Sequence, residues 1–299
     1  MGKLLLNDFT SFNLDYTLGC GQTFRWKKAG NWWYGLVNDK VFKIRQNGRE
    51  LIFENISKDF IKNYFTLDKN LQQILSSISR DEHIKQALQR FRGLRIVRQH
   101  PWECLISYIC ATNKNIPGIK RNIEALSQKF GEEMTFEGKK FYAFPTPAKL
   151  AKVSLSELKE CGLGFRAKYI REIAEKTIQG IINFEDFKEM SYKKAKKKLL
   201  RLRGVGHKVA DCVLLFSLEK PEAFPVDVWV KRAILKHYSM HFDKEFVRKV
   251  LHKKSLSPNE YNVISGFGRE YFGEYAGYAQ EYLFHYERFN STLKHSFSF

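Results

Sequence analysis

Near the start of the chain apolar and polar residues alternate, and beyond it apolar residues recur every three to four positions. TFRWKKAG and NWWYGLV, on either side of Ala29-Gly30-Asn31, and KVFKIRQNGRELIFE, with Asn47-Gly48 inside it, predict strands up to about residue 56. Asn-Gly between alternating apolar residues is the strongest short hairpin signal. From Ser57, a candidate helix cap, the period becomes helical through DFIKNYF, NLQQILSSI and DEHIKQALQRF.

Past residue 100 nearly everything reads as helix. WECLISYICATN is an apolar helix, Pro117 opens another that closes at Gly131, and Ser154 with Glu157 forms a capping box before a short helix ended by Gly162. FRAKYIREIAEKTIQG, YKKAKKKLLRL, HKVADCVLLFSL, VWVKRAILKHY and YAGYAQEYLFHYERF complete the helical set. A strand-rich module followed by a helical one defines an α+β protein.

Charge narrows the partners. The 299 residues carry 51 Lys and Arg against 32 Asp and Glu, a formal net charge of +19. That excess favours nucleic acid, because each neutralised phosphate releases counterions. No apolar run is long enough for a membrane span and no secretory or acylation signal is legible, so the reading is soluble and intracellular, cytoplasmic and nucleoid-associated in a bacterium. The odd set of cysteines, Cys20, Cys104, Cys110, Cys161 and Cys212, contains no CxxC pair and reads as small buried hydrophobes.

Arg203-Gly204-Val205-Gly206 joins two predicted helices, and outward amides at such a turn can bind an anion such as a DNA phosphate. Taken alone the turn is an ordinary helix connection. Lys208 stands in the first turn of the next helix, where the macrodipole disfavours a cation, among Val209, Ala210, Cys212, Val213, Leu214 and Leu215. Both surroundings disfavour an ammonium, the condition under which a lysine becomes a nucleophile. Asp227 stands where an N-cap belongs, a role worth about 1 kcal/mol, and amides on it would keep it ionised to stabilise positive charge at a sugar carbon.

GVGHKVADC followed by PVDV, with Lys208 and Asp227 nineteen residues apart, resembles the helix-hairpin-helix-GPD superfamily of DNA glycosylases, in its lysine-bearing, lyase-competent branch. GCGQTFRW, HPWECLISYICATNKNI, CGLGFRAKYI and GYAQEYLF are similar, in the same order, to segments of the 8-oxoguanine DNA glycosylase family. The resemblance implies an N-terminal antiparallel β-sheet domain with flanking helices, TATA-binding-protein-like, over residues 1–99, then a mostly α-helical helix-hairpin-helix glycosylase domain over 100–299. It implies a monomer acting on double-stranded DNA containing 8-oxoguanine, and base flipping into a slot.

By the same resemblance Lys208 attacks C1′ and forms a Schiff base that undergoes β-elimination, and Asp227 stabilises the transition state. Cys212 and Phe284 face the flipped base, Gln280 reads its Watson-Crick edge, and the Gly21 carbonyl accepts the N7 proton that distinguishes 8-oxoguanine from guanine. Asn113 and Arg166 engage the gap and the orphaned cytosine, Phe165 is the wedge, and Gly204, Gly206 and His207 meet the DNA backbone. The carbonyls of Leu200, Leu202 and Val205 can hold a structural cation. No cofactor is required, and no cysteine lies beyond Cys212 for the iron-sulfur branch of the superfamily.

Three positions depart from the pattern. Gly118 stands where the family has an arginine that helps recognise the cytosine, Phe165 replaces a tyrosine, and Trp229 replaces a histidine. Two other functions compete: an alkyladenine-type monofunctional glycosylase, which usually lacks the lysine, and a noncatalytic helix-hairpin-helix DNA-binding protein, for which Asp227, Gln280 and Phe284 would be incidental.

Overall fold

The computed structural model describes residues 1–7 and 11–296, with side chains described as far as residue 291. Five antiparallel strands, β1 (Gly2–Leu5), β2 (Lys27–Ala29), β3 (Trp32–Val37), β4 (Lys40–Asn47) and β5 (Glu50–Glu54), form one sheet in the order β1-β5-β4-β3-β2. One face carries Phe42, Ile44, Leu51 and Phe53, all fully buried, beneath Leu14, Leu18, Ile61 and Phe65 from the flanking helical segments.

The turns differ from expectation in detail. Asn47 pairs with Glu50, so the two-residue loop is Gly48-Arg49, one position later than the Asn-Gly signal, with Gly48 at φ +55°. A second tight turn, Asn38-Asp39, has φ of +48° and +57°. Asn and Asp tolerate the left-handed region there without glycine, which is why the dipeptide carried no obvious mark. Within the predicted strand region, Leu14–Gly19 is instead a short helix capped by Asn13.

The remainder is helical with one exception. Strands β6 (Glu133–Phe136) and β7 (Lys139–Tyr142) form a hairpin against the sheet: Glu137 pairs with Lys43 and accepts from Tyr34 Oη, and Tyr34 stacks on Phe141 at 6.3 Å. Helices Pro101–Cys110, Tyr192–Leu199, His207–Ser217 and Val228–His237 and the C-terminal helix Ala276–Ser296 all contribute to a second, larger core. Among the described residues no helix is long and apolar enough to cross a membrane.

Gln22 ties the two regions together. Its amide donates to the carbonyls of Thr17 (2.9 Å) and Arg95 (2.8 Å) and accepts from Val97 N (2.9 Å). Its own carbonyl accepts from Tyr108 Oη (2.9 Å) and Gln99 Nε2 (2.8 Å). A buried amide with these bonds made is costly to move, so the neighbouring Gly21 is held at the junction.

Candidate active site

The hairpin is built as its glycines require. Gly204 sits at φ +86°, and a Cβ there would lie 2.7 Å from the Tyr169 ring, whereas a Cβ on the N-cap Gly206 would meet open space. No side chain caps the helix His207–Ser217, so its first amides face outward as a phosphate site needs. His207 is half-buried 5.4 Å from the Tyr261 ring, its Nδ1 buried without a partner; burial, with the Lys196 charge, pushes its pKa down.

Asp211, one turn after Lys208 and fully buried, fixes this helix. It accepts from Tyr192 Oη (2.8 Å), Lys196 Nζ (2.7 Å) and Tyr261 Oη (2.8 Å). The network bolts both hairpin helices to the helix Pro258–Phe272. Leu202 and Val205 are buried within the turn; the Leu202 carbonyl accepts from Val205 N at 3.1 Å, and Leu200 ends the leading helix.

Lys208 is half-buried, and its charge reaches both Cys212 and Asp227. Asp227 is the expected N-cap: Oδ1 accepts from Trp229 N and Val230 N, both at 2.9 Å. The residue keeps some surface open, yet burial of its carboxyl pushes the pKa up, and Lys208, the two amides and Arg288 oppose that rise without cancelling it. Burial likewise drives the Cys212 thiol well up, so it is an apolar wall and not a nucleophile.

Gly21 and Phe284 do come together. Gly21 has φ +109°, and a Cβ there would lie 3.7 Å from Phe284 Cε1 and 2.7 Å from both Arg288 Nη1 and Ile116 Cδ1. Gln280, one turn before Phe284, is buried with Oε1 lacking a partner. A buried amide oxygen left without a donor fits a group awaiting a ligand. Sequence reasoning missed two members of this cluster. Arg288 lies over the Phe284 ring at 5.1 Å and donates to the Gly19 carbonyl at 3.2 Å; the 280/284 spacing continues to it. Glu281 is buried beside Cys20, and burial raises its pKa to about 7 against the pull of Arg288.

On the other side of the hairpin Phe165 is 54% exposed, as a wedge must be. Arg166 turns inward, donating to the carbonyls of Leu163 (3.3 Å) and Thr112, with the Phe165 ring 4.4 Å from its Cζ. Both residues line a cavity of about 260 Å³ with Gly204 and Gly206. Asn113 is exposed with φ +53° and borders a larger cavity of about 560 Å³ beside Gly118. Trp229, in place of the family's histidine, carries Arg232 over its ring at 4.9 Å. All five cysteines are free and buried, and the described residues hold no cluster of three or more His, Cys, Asp or Glu placed for a metal.

A sheet domain, a glycine hairpin, a lysine at one helix start and an aspartate capping the next together define a DNA-repair glycosylase architecture. Residues 4–105 match the N-terminal domain of 8-oxoguanine DNA glycosylase, residues 106–255 match the HhH-GPD superfamily of base excision DNA repair proteins, and the chain belongs to this family. It is 30% identical to the N-glycosylase/DNA lyase of Saccharomyces cerevisiae over 95% of this chain and 85% of the relative. Identity to the N-glycosylase/DNA lyase OGG1 of Arabidopsis thaliana is also 30%, over 97% and 81% of the two chains. The Clostridium acetobutylicum 8-oxoguanine glycosylase/lyase, solved with double-stranded DNA containing cytosine opposite 8-oxoguanine, superposes with a TM-score of 0.84 at 36% identity, covering 94% of this chain and 93% of that one.

Proposed function

We propose that this protein is a bifunctional glycosylase/lyase that removes 8-oxoguanine from duplex DNA for base excision repair. What chiefly supports this is Lys208 and Asp227 at two helix starts within each other's electrostatic reach, in a chain of this family. The Lys208 amine attacks C1′ as the glycosidic bond breaks, and the bonding electrons leave with the base, which takes up a proton. Opening of the sugar gives a Schiff base, and loss of a C2′ proton expels the 3′ phosphate by β-elimination. The raised proton affinity of Asp227 suits it to receive the proton that Lys208 must lose. Once it has passed that proton to the departing base, Asp227 is again a carboxylate and stabilises the positive charge that develops at C1′.

Phe284 and Cys212 sandwich the flipped base, the orphaned Gln280 oxygen meets its Watson-Crick edge, and the Gly21 carbonyl accepts the N7 proton. Guanine would set a lone pair against that carbonyl, a repulsive contact that rejects it. Asn113 and Phe165 fill the gap in the duplex, while Gly204, Gly206 and His207 meet phosphate; Arg166, expected at that gap, is instead buried against the Leu163 and Thr112 carbonyls beneath the wedge. The carbonyls of Leu200, Leu202 and Val205 can add a cation bridging to that phosphate.

Borohydride trapping with an 8-oxoguanine duplex tests the reading. The unaltered protein is expected to give a covalent adduct and Lys208→Gln none. A monofunctional alkyladenine-type enzyme and a noncatalytic DNA-binding protein both give none with either chain, which separates them from this proposal.

A further inference from the structure

The cavity beside Gly118 contains a guanidinium with nothing to bind. Its polar lining is Asn113, Lys114, Asn115, Arg121, Asn122 and Glu160. Most of these side chains are committed. Lys114 Nζ donates to Asn122 Oδ1 and to the Gly162 carbonyl (2.9 Å), Asn115 Oδ1 caps Gly118 N (2.9 Å), Asn122 Nδ2 donates to the Cys161 carbonyl (2.6 Å), and Glu160 pairs with Lys129. Arg121 makes no hydrogen bond or ion pair among the described residues, and its charge is felt by Lys114 across the cavity.

Its position is specific. Gly118 and Arg121 lie three residues apart on the helix Ile116–Phe130, on one face. A Cβ built on Gly118 would lie 3.9 Å from Arg121 Nη2 and 3.0 Å from the capping Asn115 Oδ1. The Arg121 head therefore stands at the edge of the space that a side chain at position 118 would occupy. Absence of a Cβ there keeps the helix cap intact and the approach to the cavity open.

We propose that Arg121 is the specificity-determining contact to the base opposite the lesion, reaching through the space that Gly118 leaves. The inference rests on the reading above, in which Asn113 lines the gap, and on the resemblance by which position 118 stands beside that base. Cytosine is the one base whose Watson-Crick edge offers two adjacent acceptors, N3 and O2, and a guanidinium fork offers two adjacent donors. Adenine offers one acceptor on that edge, and in guanine and thymine a ring N–H faces the fork. Because Arg121 is exposed and unsupported, its discrimination belongs at the low end for a bidentate contact, about five- to tenfold.

The experiment compares single-turnover excision of 8-oxoguanine opposite C, A, G and T by the unaltered protein, Arg121→Ala, Arg121→Lys and the double variant Gly118→Arg/Arg121→Ala. Arg121→Ala is expected to lower the C-to-A rate ratio about five- to tenfold, and Arg121→Lys, which keeps charge without the fork, to lower it nearly as far. The double variant is expected to restore the ratio. An unchanged ratio in Arg121→Ala, or an equal loss opposite all four bases as for a phosphate contact, overturns the proposal. Absence of excision from every duplex by the unaltered protein overturns the functional reading itself, a result distinct from an unchanged ratio.

Discussion

The two sides of the glycine hairpin are built on opposite principles. On the lesion side Gly21 is flanked by the Gln22 network, Arg288, Ile116 and Phe284, and an unpartnered amide oxygen is buried next to a buried carboxyl. On the opposite-base side a cavity of about 560 Å³ is open, and the Arg121 guanidinium at its edge is exposed and makes no hydrogen bond or ion pair among the described residues. Chemistry that distinguishes one proton on a purine needs donors and acceptors fixed beforehand. Choice of the opposite base needs only a modest energy difference, and a loose arginine supplies it.

Disabling the lesion side at its most rigid point should have the largest effect. Asp227→Asn keeps an N-cap, so stability should hold within about 1 kcal/mol, while excision should fall about 100- to 1000-fold from loss of the carboxylate. Single-turnover rates beside thermal unfolding would separate the two. Equal activity would remove Asp227 from the chemistry.

Glu281 gives the rigid side a pH signature near neutrality. Its folded pKa is raised from 4.5 to about 7, so the fold favours the protonated acid. That stability is full below pH 4.5, is lost as pH rises to about 7, and changes no further above it. The loss amounts to about 3 kcal/mol for a shift of this size. Glu281→Gln should therefore gain on the parent between pH 5 and pH 8 in thermal unfolding. His83 and His285, lowered to about 4 by burial, act in the other direction, losing stability as pH falls from 6.5 toward 4. Measuring the difference between the two chains cancels that contribution.

A pair of glycines sharpens the contrast. Gly21→Ala places a Cβ at φ +109° and 2.7 Å from Arg288 and Ile116, and should cost about 1–3 kcal/mol in stability along with most excision. Gly118→Ala has ordinary backbone, displaces Asn115 by a few tenths of an ångström and gains helix propensity, so its stability should stay within about 1 kcal/mol of the parent. Smallest of all is the spread of excision rates across C, A, G and T in the unaltered protein, expected within about one order of magnitude because the family's arginine at position 118 is absent. A strong requirement for cytosine would show that the open side is more constrained than its geometry implies.

Where local chemistry dominates, the elements were legible. Ser57 caps Phe60 N, the Ser154 and Glu157 box forms with both bonds, and Asp227 caps its helix. The hairpin Glu133–Tyr142 was not, because its strands are four residues each and owe their place to Lys43 and Tyr34 of the distant sheet. Pro258–Phe272 also went unread although Ser257 and Glu260 form a capping box; Gly266 and Gly268 break its apolar period, and it is the Phe224 ring that demands a bare position at 268.

The chain on its own determined the two helix starts that carry Lys208 and Asp227, the α+β division and the net positive charge, since caps, periodicity and charge are read from residues close in sequence. Only tertiary structure decided that Arg288 lies against Gly21, that Arg166 faces inward, that burial outweighs the amides on Asp227, and that Arg121 leans into the vacancy at Gly118. These depend on distances and desolvation between segments far apart along the chain, which packing alone establishes.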